Sequence, residues 1–434
     1  MYKVFFITLG CKVNQYETEC MKADLISKGF ETACSPDKAD VIILNSCTVT
    51  SSGDSKSLYA LRKLRKDRPD ALVVLTGCLP QASPETAENI PEADIIIGTK
   101  NRKLLPSMVT ESLEQKQRIV QIDKYSCNDS FEDLVHSDFK GKTRAFVKIQ
   151  DGCNQFCSYC IIPFARGRCR SKPLDVLRNE LKMLADAGHK EVVLVGINLA
   201  FYGMEYGLRL ADAVEECSRI SGIERVRLGS LEPEMISDDD LLRLSKCPQF
   251  CPQFHLSLQS GSDTVLKRMN RRYTTAEYYD LVCRIRRIFP DASFTTDIMV
   301  GFPQETEEEF IQSMNFAEKV GFAKIHVFQY SPRKGTVAAG MPQLSKKIKA
   351  ERADRLKALG NRLQEKYLLN LVGKTVPVLF ERENNTDFHH GYAPDYTLIK
   401  ISQKNFKKSL RNFIFYVTIE EAHNDFCYGT ICEP

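Results

Sequence analysis

Residues 144–163 read RAFVKIQDGCNQFCSYCIIP. A short apolar, β-branched run (RAFVKIQ) passes directly into a loop carrying Cys153, Cys157 and Cys160. Thiolates are soft ligands that favour iron–sulfur clusters or zinc. One loop with C-x3-C-x2-C can wrap three corners of a cubane cluster, whereas a complete protein cage takes four cysteines. The missing fourth leaves one iron for a ligand that is not protein. A zinc knuckle completed by Cys169 is the other reading, although structural zinc favours C-x2-C pairs at both ends.

Outward from this loop the pattern is strand then helix. From 138 to 368, RAFVKIQ, EVVLVGIN, RVRLGSL, FHLSLQS, FTTDIMVGF and KIHVFQYS alternate with helical stretches such as PLDVLRNELKMLADAG and AEYYDLVCRIRRIF. Six such units suit a complete or partial (β/α)6 barrel, whose active site lies at the carboxyl ends of the strands. The stretch 344–370 predicts a long charged helix with a solvated basic face. Residues 1–135 also alternate: VFFITLG, VIILNSC, LVVLTGC and DIIIGT predict strands, with helices at 17–28 and 55–68, so this α/β unit is a parallel sheet covered on both faces. Three of its strands run into Cys11, Cys47 and Cys78, and carboxyl-end loops of parallel sheets are where ligands gather. From 371 to 434, KTVPVLFE, YTLIKIS, FIFYVTI and YGTIC are period-two strands that predict a small antiparallel β-barrel. Binding and mere packing both stay open for it.

Composition excludes several classes. The chain has 434 residues, 43% hydrophobic and 27% charged, with 18 Pro, 23 Gly and no Trp. That rules out collagen-like and low-complexity chains and suits about two to four domains. Sixty basic against 56 acidic residues leave a net charge of +4, so no strongly basic nucleic-acid footprint exists overall. No apolar run reaches the ~20 residues of a membrane span. MYKVFFITLG shows no signal cleavage site and reads as a buried strand. A cytoplasmic, reducing location follows for the 16 cysteines. Cys20, Cys34, Cys127, Cys169, Cys217, Cys283, Cys427 and Cys432, and the pair Cys247 and Cys251, read as ordinary thiols.

The cysteine loop resembles that of the radical S-adenosylmethionine (SAM) superfamily. Further motifs widen the resemblance: LGCKVNQYE, NSCTV, TGCLPQ, KIQDGCNQFCSYCIIPFARGRCRS, LSLQSGSDTVLKRMNRRY, DIMVGFPQETEEEF and QYSPRKGT. Together they are similar to the methylthiotransferases, and most like the bacterial subgroup acting on N6-threonylcarbamoyladenosine at position 37 of tRNA. The resemblance implies a [4Fe–4S] cluster on Cys153, Cys157 and Cys160 that binds SAM for radical cleavage. It implies a second on Cys11, Cys47 and Cys78 that carries the sulfur to be inserted, with two SAM consumed per turnover. It makes the last barrel a TRAM-like module and implies as partners a tRNA anticodon stem-loop, a low-potential electron donor and a sulfur source, with no membrane.

For SAM, the resemblance points to Tyr159 beside the adenine and to Gly196 and Asn198 at the methionine amino group. Ser230, Glu232, Gln259, Ser260, Asp297, Gly301 and Tyr330, at strand ends, are placed to contact the cofactor or to support those that do. Arg166, Arg168 and Arg170 suit a phosphate or carboxylate, whether of SAM, tRNA or the threonyl group, or form a solvated loop. Basic runs at Lys267, Arg268, Arg271 and Arg272 and at Lys404, Lys407, Lys408 and Arg411 suit phosphates. His189, His255, His326, His389 and His390 read as structural or solvent-facing.

Rival readings are the same chemistry on isopentenyladenosine or on a ribosomal-protein aspartate, a radical enzyme whose extra cluster only carries electrons, and a non-catalytic zinc-holding RNA-binding protein. Metal analysis separates the last from the rest. Anaerobically purified protein should hold about eight iron atoms and matching acid-labile sulfide; zinc in their place would favour the RNA-binding protein.

Overall fold

The computed structural model describes residues 1–134, 142–382, 387–403 and 409–432. The boundary expected at 135–138 lies outside them, as do Lys404, Lys407 and Lys408. The first strands are β1 (Lys3–Thr8), β2 (Glu31–Thr32), β3 (Val41–Ser46), β4 (Leu72–Gly77), β5 (Ile95–Ile97) and β6 (Ile119–Gln121). They form one parallel sheet in the order β2-β1-β3-β4-β5-β6. Two short strands, β2 and β6, escape the sequence pattern because two or three residues are too few to show a period. The first helix, expected from Glu17, begins at Lys12, with Cys11 in extended backbone as its cap.

Next come β7 (Arg144–Lys148), β8 (Gln150–Asp151), β9 (Arg170–Ser171), β10 (Glu191–Val195), β11 (Arg225–Leu228), β12 (Ser230–Leu231), β13 (Gln253–Leu256), β14 (Ser293–Val300) and β15 (Lys324–Gln329). β7, β10 and β11 form one parallel sheet and β12 to β15 another. Strand RVRLGSL breaks at Gly229 to pass from the first to the second, so the arc is a partial barrel. Its outer face packs on helices through Leu181, Leu194, Val214, Leu281 and Phe310. Its inner face is plugged on one side by the Lys12–Ser27 helix, where Val13 meets Val193 and Val195.

The Lys346–Leu369 helix packs along β15. Two of its basic residues depart from the expected solvated face: Lys349 donates to the Tyr330 carbonyl (3.2 Å) and Arg352 to Glu305 (2.6 Å), both buried. Beyond it, β16 (Thr375–Phe380), β17 (Phe388–Tyr392), β18 (Leu398–Ser402), β19 (Ile414–Ala422) and β20 (Cys427–Ile431) close a barrel in the order β16-β17-β18-β20-β19. The expectation of a wholly antiparallel barrel is corrected in one pair: β20 returns from β19 and lies parallel to β18. In FHHGY, glycine and paired histidines mask the strand β17.

This barrel docks on the amino-terminal ends of the larger one. Arg225 donates to the carbonyls of Tyr392 (2.8 Å) and Pro377 (2.7 Å), and Arg227 to that of Pro394 (2.6 Å). Arg144 pairs with Glu381 (2.9 Å) and stacks on the Tyr392 ring.

A buried ion cluster joins the amino-terminal sheet to the central arc. Glu17 receives Arg102 (2.7 Å), Lys148 (2.9 Å) and Arg166 (2.5 Å), all with fully buried side chains. Burial pushes the Glu17 carboxyl up, but the three cations outweigh it and hold it well below the usual carboxylate range. Glu17→Gln leaves three buried cations short of their counter-charge, so equilibrium urea unfolding should show a loss of about 3–5 kcal/mol. Because the folded carboxyl titrates below its unfolded value of about 4.3, its stabilisation is complete above that pH and drains away as acid approaches the lowered value. The variant's stability should therefore fall less steeply below about pH 4.5 than that of the native chain.

Candidate active site

Cys11, Cys47 and Cys78 follow β1, β3 and β4, three adjacent strands in register at Thr8↔Asn45 and Ser46↔Gly77. The fold therefore sets the three thiols side by side at one edge, next to the point where strand order reverses. Two glycines permit the approach. Gly10 (φ +115°) leaves room for Cys47, whose Cβ and Sγ would lie 2.9 and 3.2 Å from an added Cβ. Gly77 (φ +100°) lies against the Ser46 carbonyl, which would be 2.5 Å from one. Burial pushes all three thiols up, while Arg166 beside them pulls down. Its Nε donates to Cys78 Sγ (3.3 Å) and its Nη2 to Asn14 Oδ1 (2.7 Å), a group that Cys11 Sγ also reaches at 3.7 Å.

The second set of thiols sits on a loop pinned at both ends. The ribbon β8–β9 pairs Asp151 with Arg170 and ties off residues 152–169. Inside it, Cys153 Sγ receives the Asn198 side-chain amide (3.6 Å) and the Gln155 backbone N–H (3.4 Å). Cys157 Sγ receives Arg271 (3.4 Å), which also pairs with Glu232. Burial pushes the Cys160 thiol up to about 12. Three free thiols at each place form a donor set that suits a cubane with an open corner. Among the described residues, no three Cys, His, Asp or Glu side chains gather closely enough for a single metal ion. Cys169 lies beside the Cys153 loop, its thiol directed at the Gly152 carbonyl (3.7 Å).

Orphaned polar atoms mark where a further ligand fits. Asn198 Oδ1 and Glu234 Oε2 are buried without a hydrogen-bond partner, and Gln155 holds the other Glu234 oxygen at 2.5 Å. Gly196 lies against Gln150, whose Oε1 accepts the Asn198 backbone N–H at 2.7 Å. On the other side of the loop, Tyr159 packs against an apolar cluster of Phe302, Tyr330, Met269 and Val265. Gly301 (φ +69°) donates its N–H to Glu305 and presses on Lys349. Ser230 and Asp297 line a cavity in the barrel lumen. Gln259 takes a left-handed φ of +63° and bridges the β14 backbone through Asp297 and Met299. Ser260 is buried against Ser313.

The two sets of thiols are neighbours. The Cys78–Ala82 helix packs against the Ile162–Arg166 helix, which begins two residues after Cys160. On another side, Arg333, past the end of β15, reaches Thr48 (2.6 Å) in the loop after Cys47 and Asp54 (2.6 Å) in the first turn of the Ser51–Asp67 helix.

The arginines divide. Arg166 and Arg170 are buried and spent on the protein itself, Arg170 on the carbonyls of Arg166 and Arg168; Arg168 alone is exposed. In the run expected to meet phosphates, Arg271 turns inward to Cys157 and Glu232, and Arg268 pairs with Glu309, leaving Lys267 and Arg272 outside. Glu17, Asn14, Lys12 and Glu234 were missed by sequence reasoning. A charge set at helical spacing among Val13, Tyr16 and Cys20 was the available signal for Glu17. His255 and His326, read as structural or solvent-facing, line the lumen cavity with ring centroids 5.7 Å apart.

Comparison with known proteins agrees with this geometry. Residues 147–317 match the radical SAM superfamily, and residues 3–98 match an uncharacterized protein family, UPF0004. The chain is 37% identical over 403 residues to the threonylcarbamoyladenosine tRNA methylthiotransferase MtaB of Bacillus subtilis, covering 91% of this chain and 89% of that one. It is 35% identical over 390 residues to a tRNA-2-methylthio-N(6)-dimethylallyladenosine synthase of Acetivibrio thermocellus, covering 88% and 81%. Among solved structures, the radical SAM methyltransferase TsrM from Kitasatospora setae, with cobalamin and a [4Fe–4S] cluster bound, shares the fold at a TM-score of 0.56 and 15% identity, over 76% of each chain. With more than a third of residues shared along nearly the whole of both chains, and with both cysteine sets in place, this chain belongs to the methylthiotransferase family of radical SAM enzymes.

Proposed function

We propose that the protein is a tRNA methylthiotransferase that places a methylthio group on C2 of N6-threonylcarbamoyladenosine at position 37. The observation that carries this reading is the Arg166 contact with Cys78, made from the helix that follows the Cys153–Cys160 loop, which brings two three-thiol sets to one place. The name borne by the Bacillus subtilis relative supports the choice of nucleoside.

Cys153, Cys157 and Cys160 would hold the cluster that binds SAM, and Cys11, Cys47 and Cys78 a second. Bound there, clusters and SAM supply the one-electron reduction, hydrogen-atom abstraction and methylthio donation that no side chain can provide. The protein's own groups then position and insulate. Asn198 Oδ1 is free to accept from a cofactor amino group, as its side-chain amide already bonds Cys153. The apolar side chains of Tyr159, Phe302 and Tyr330 would flank an adenine ring. Arg271 and Arg166 place one guanidinium at each set of thiols, offsetting negative charge where burial disfavours it. C2–H of adenine is not acidic enough for a side-chain base, which is why the site is built from thiols rather than from a His or Glu poised to take a proton. The target base must leave its stack to enter, as the anticodon loop permits. A low-potential electron donor and a sulfur source complete the partners. No helix among the described residues is long and apolar enough to cross a membrane.

Purified enzyme incubated with synthetic anticodon stem-loops and analysed by nucleoside mass spectrometry should give the methylthio product from the threonylcarbamoyl substrate; product only from the isopentenyl substrate would overturn the assignment. Cys157→Ala should abolish SAM cleavage and product together. Cys47→Ala should keep part of the SAM cleavage but lose the product, and full product from it would remove the second cluster from the scheme.

A further inference from the structure

The Lys12–Ser27 helix fills the lumen beside β7 and β10 but not beside β12 to β15. There the inward side chains face a cavity of about 560 Å³ bounded by Lys12, Ser230, His255, Asp297, His326 and, from the small barrel, Tyr396. That is a ligand-sized space. None of the six cysteines is among the described residues that line it, but Lys12 follows Cys11 in sequence, and Asp297 lies within electrostatic reach of Glu232, the partner of Arg271 at Cys157.

Its charges are unequally spent. Asp297 lies 3.3 Å from His255 Nε2 without a hydrogen bond between them, His255 Nδ1 meets Thr295 Oγ1 (2.9 Å), and a further carboxylate, Asp425, stands on the cavity wall. Asp395, at the floor, accepts from Tyr367 (2.7 Å) and Thr397 (2.7 Å). The cations are not so engaged. The Lys12 amine stands 5.5 Å over the Tyr396 ring, and among the described residues no carboxylate comes within ion-pair distance of Lys12 or Lys324. Behind Lys12, Arg144 and Arg227 are already committed to Glu381 and Glu191, so they add positive potential without offering an anion. A half-buried ammonium facing an open polar cavity can donate a charge-assisted hydrogen bond to an incoming carboxylate.

We propose that this cavity is a carboxylate subsite with Lys12 as its anion receptor, and that it takes the amino-acid arm of the N6-substituted adenine. The subsite rests on the substrate reading above and deepens it: the threonylcarbamoyl arm carries a carboxylate, while a hydrocarbon substituent has nothing to give Lys12. Lys12 is thereby a specificity residue, one position from a thiol of the neighbouring set.

Fluorescence anisotropy with labelled anticodon stem-loops tests this without requiring turnover. Three ligands are compared: the free threonyl acid, its methyl ester and an isopentenyl counterpart. Native protein should bind the acid roughly 10- to 100-fold more tightly than the ester. Lys12→Ala should weaken acid binding to the ester's level and leave ester binding where it was, while Lys12→Arg should keep part of the preference. Iron and sulfide content of each variant checks that the Cys11 set is intact. Equal affinity for acid and ester in the native protein, with methylthio product still formed from the acid, overturns the subsite alone, as does an undiminished preference in Lys12→Ala. Absence of product from every threonylcarbamoyl ligand overturns the subsite and the substrate reading together.

Discussion

One buried carboxylate decides how the first two parts of this molecule meet. Glu17 draws Arg102 from beyond β5, Lys148 from β7 and Arg166 from the helix behind the cysteine loop into a space without solvent. Ions removed from water this completely are tolerable only when matched. A small slip of the amino-terminal sheet would strand at least one of them, so the docking has a single acceptable register. That register seats the Lys12–Ser27 helix inside the arc and brings Arg166 to Cys78. Proximity of the two sets of thiols is thus a consequence of charge matching one guanidinium away, since Arg166 touches both Glu17 and Cys78.

The backbone plan was legible because its signals are local. Apolar runs ending in cysteine mark β1, β3, β4 and β7, and all six barrel strands occur where the alternation of apolar runs and helical stretches places them. The six thiols stood out by residue type and by their position just after strands. What stayed hidden depends on tertiary partners. Arg166 and Arg271 looked like groups for phosphate, since a sequence displays a charge without its counter-charge. Only the fold shows Glu17 and Glu232 waiting for them. Lys349 and Arg352 were concealed in the same way by a helix that is otherwise polar.

The carboxyl-terminal barrel gains a definite place. Its Tyr392–Thr397 turn is gripped by Arg144, Arg225 and Arg227, each near the start of its strand, at the end of the arc away from the cysteines. The turn also supplies the floor of the lumen through Tyr396 and Asp395. Whatever else this module touches, part of it is wall.

The helix lodged in the lumen has a steric corollary. With part of the bore occupied, the space left is about 560 Å³, on the scale of a single ligand rather than of a duplex. A duplex stem must halt outside while one nucleotide is handed in, so the span of a single sugar–phosphate unit becomes the ruler that fixes which position along the strand is chemically addressed.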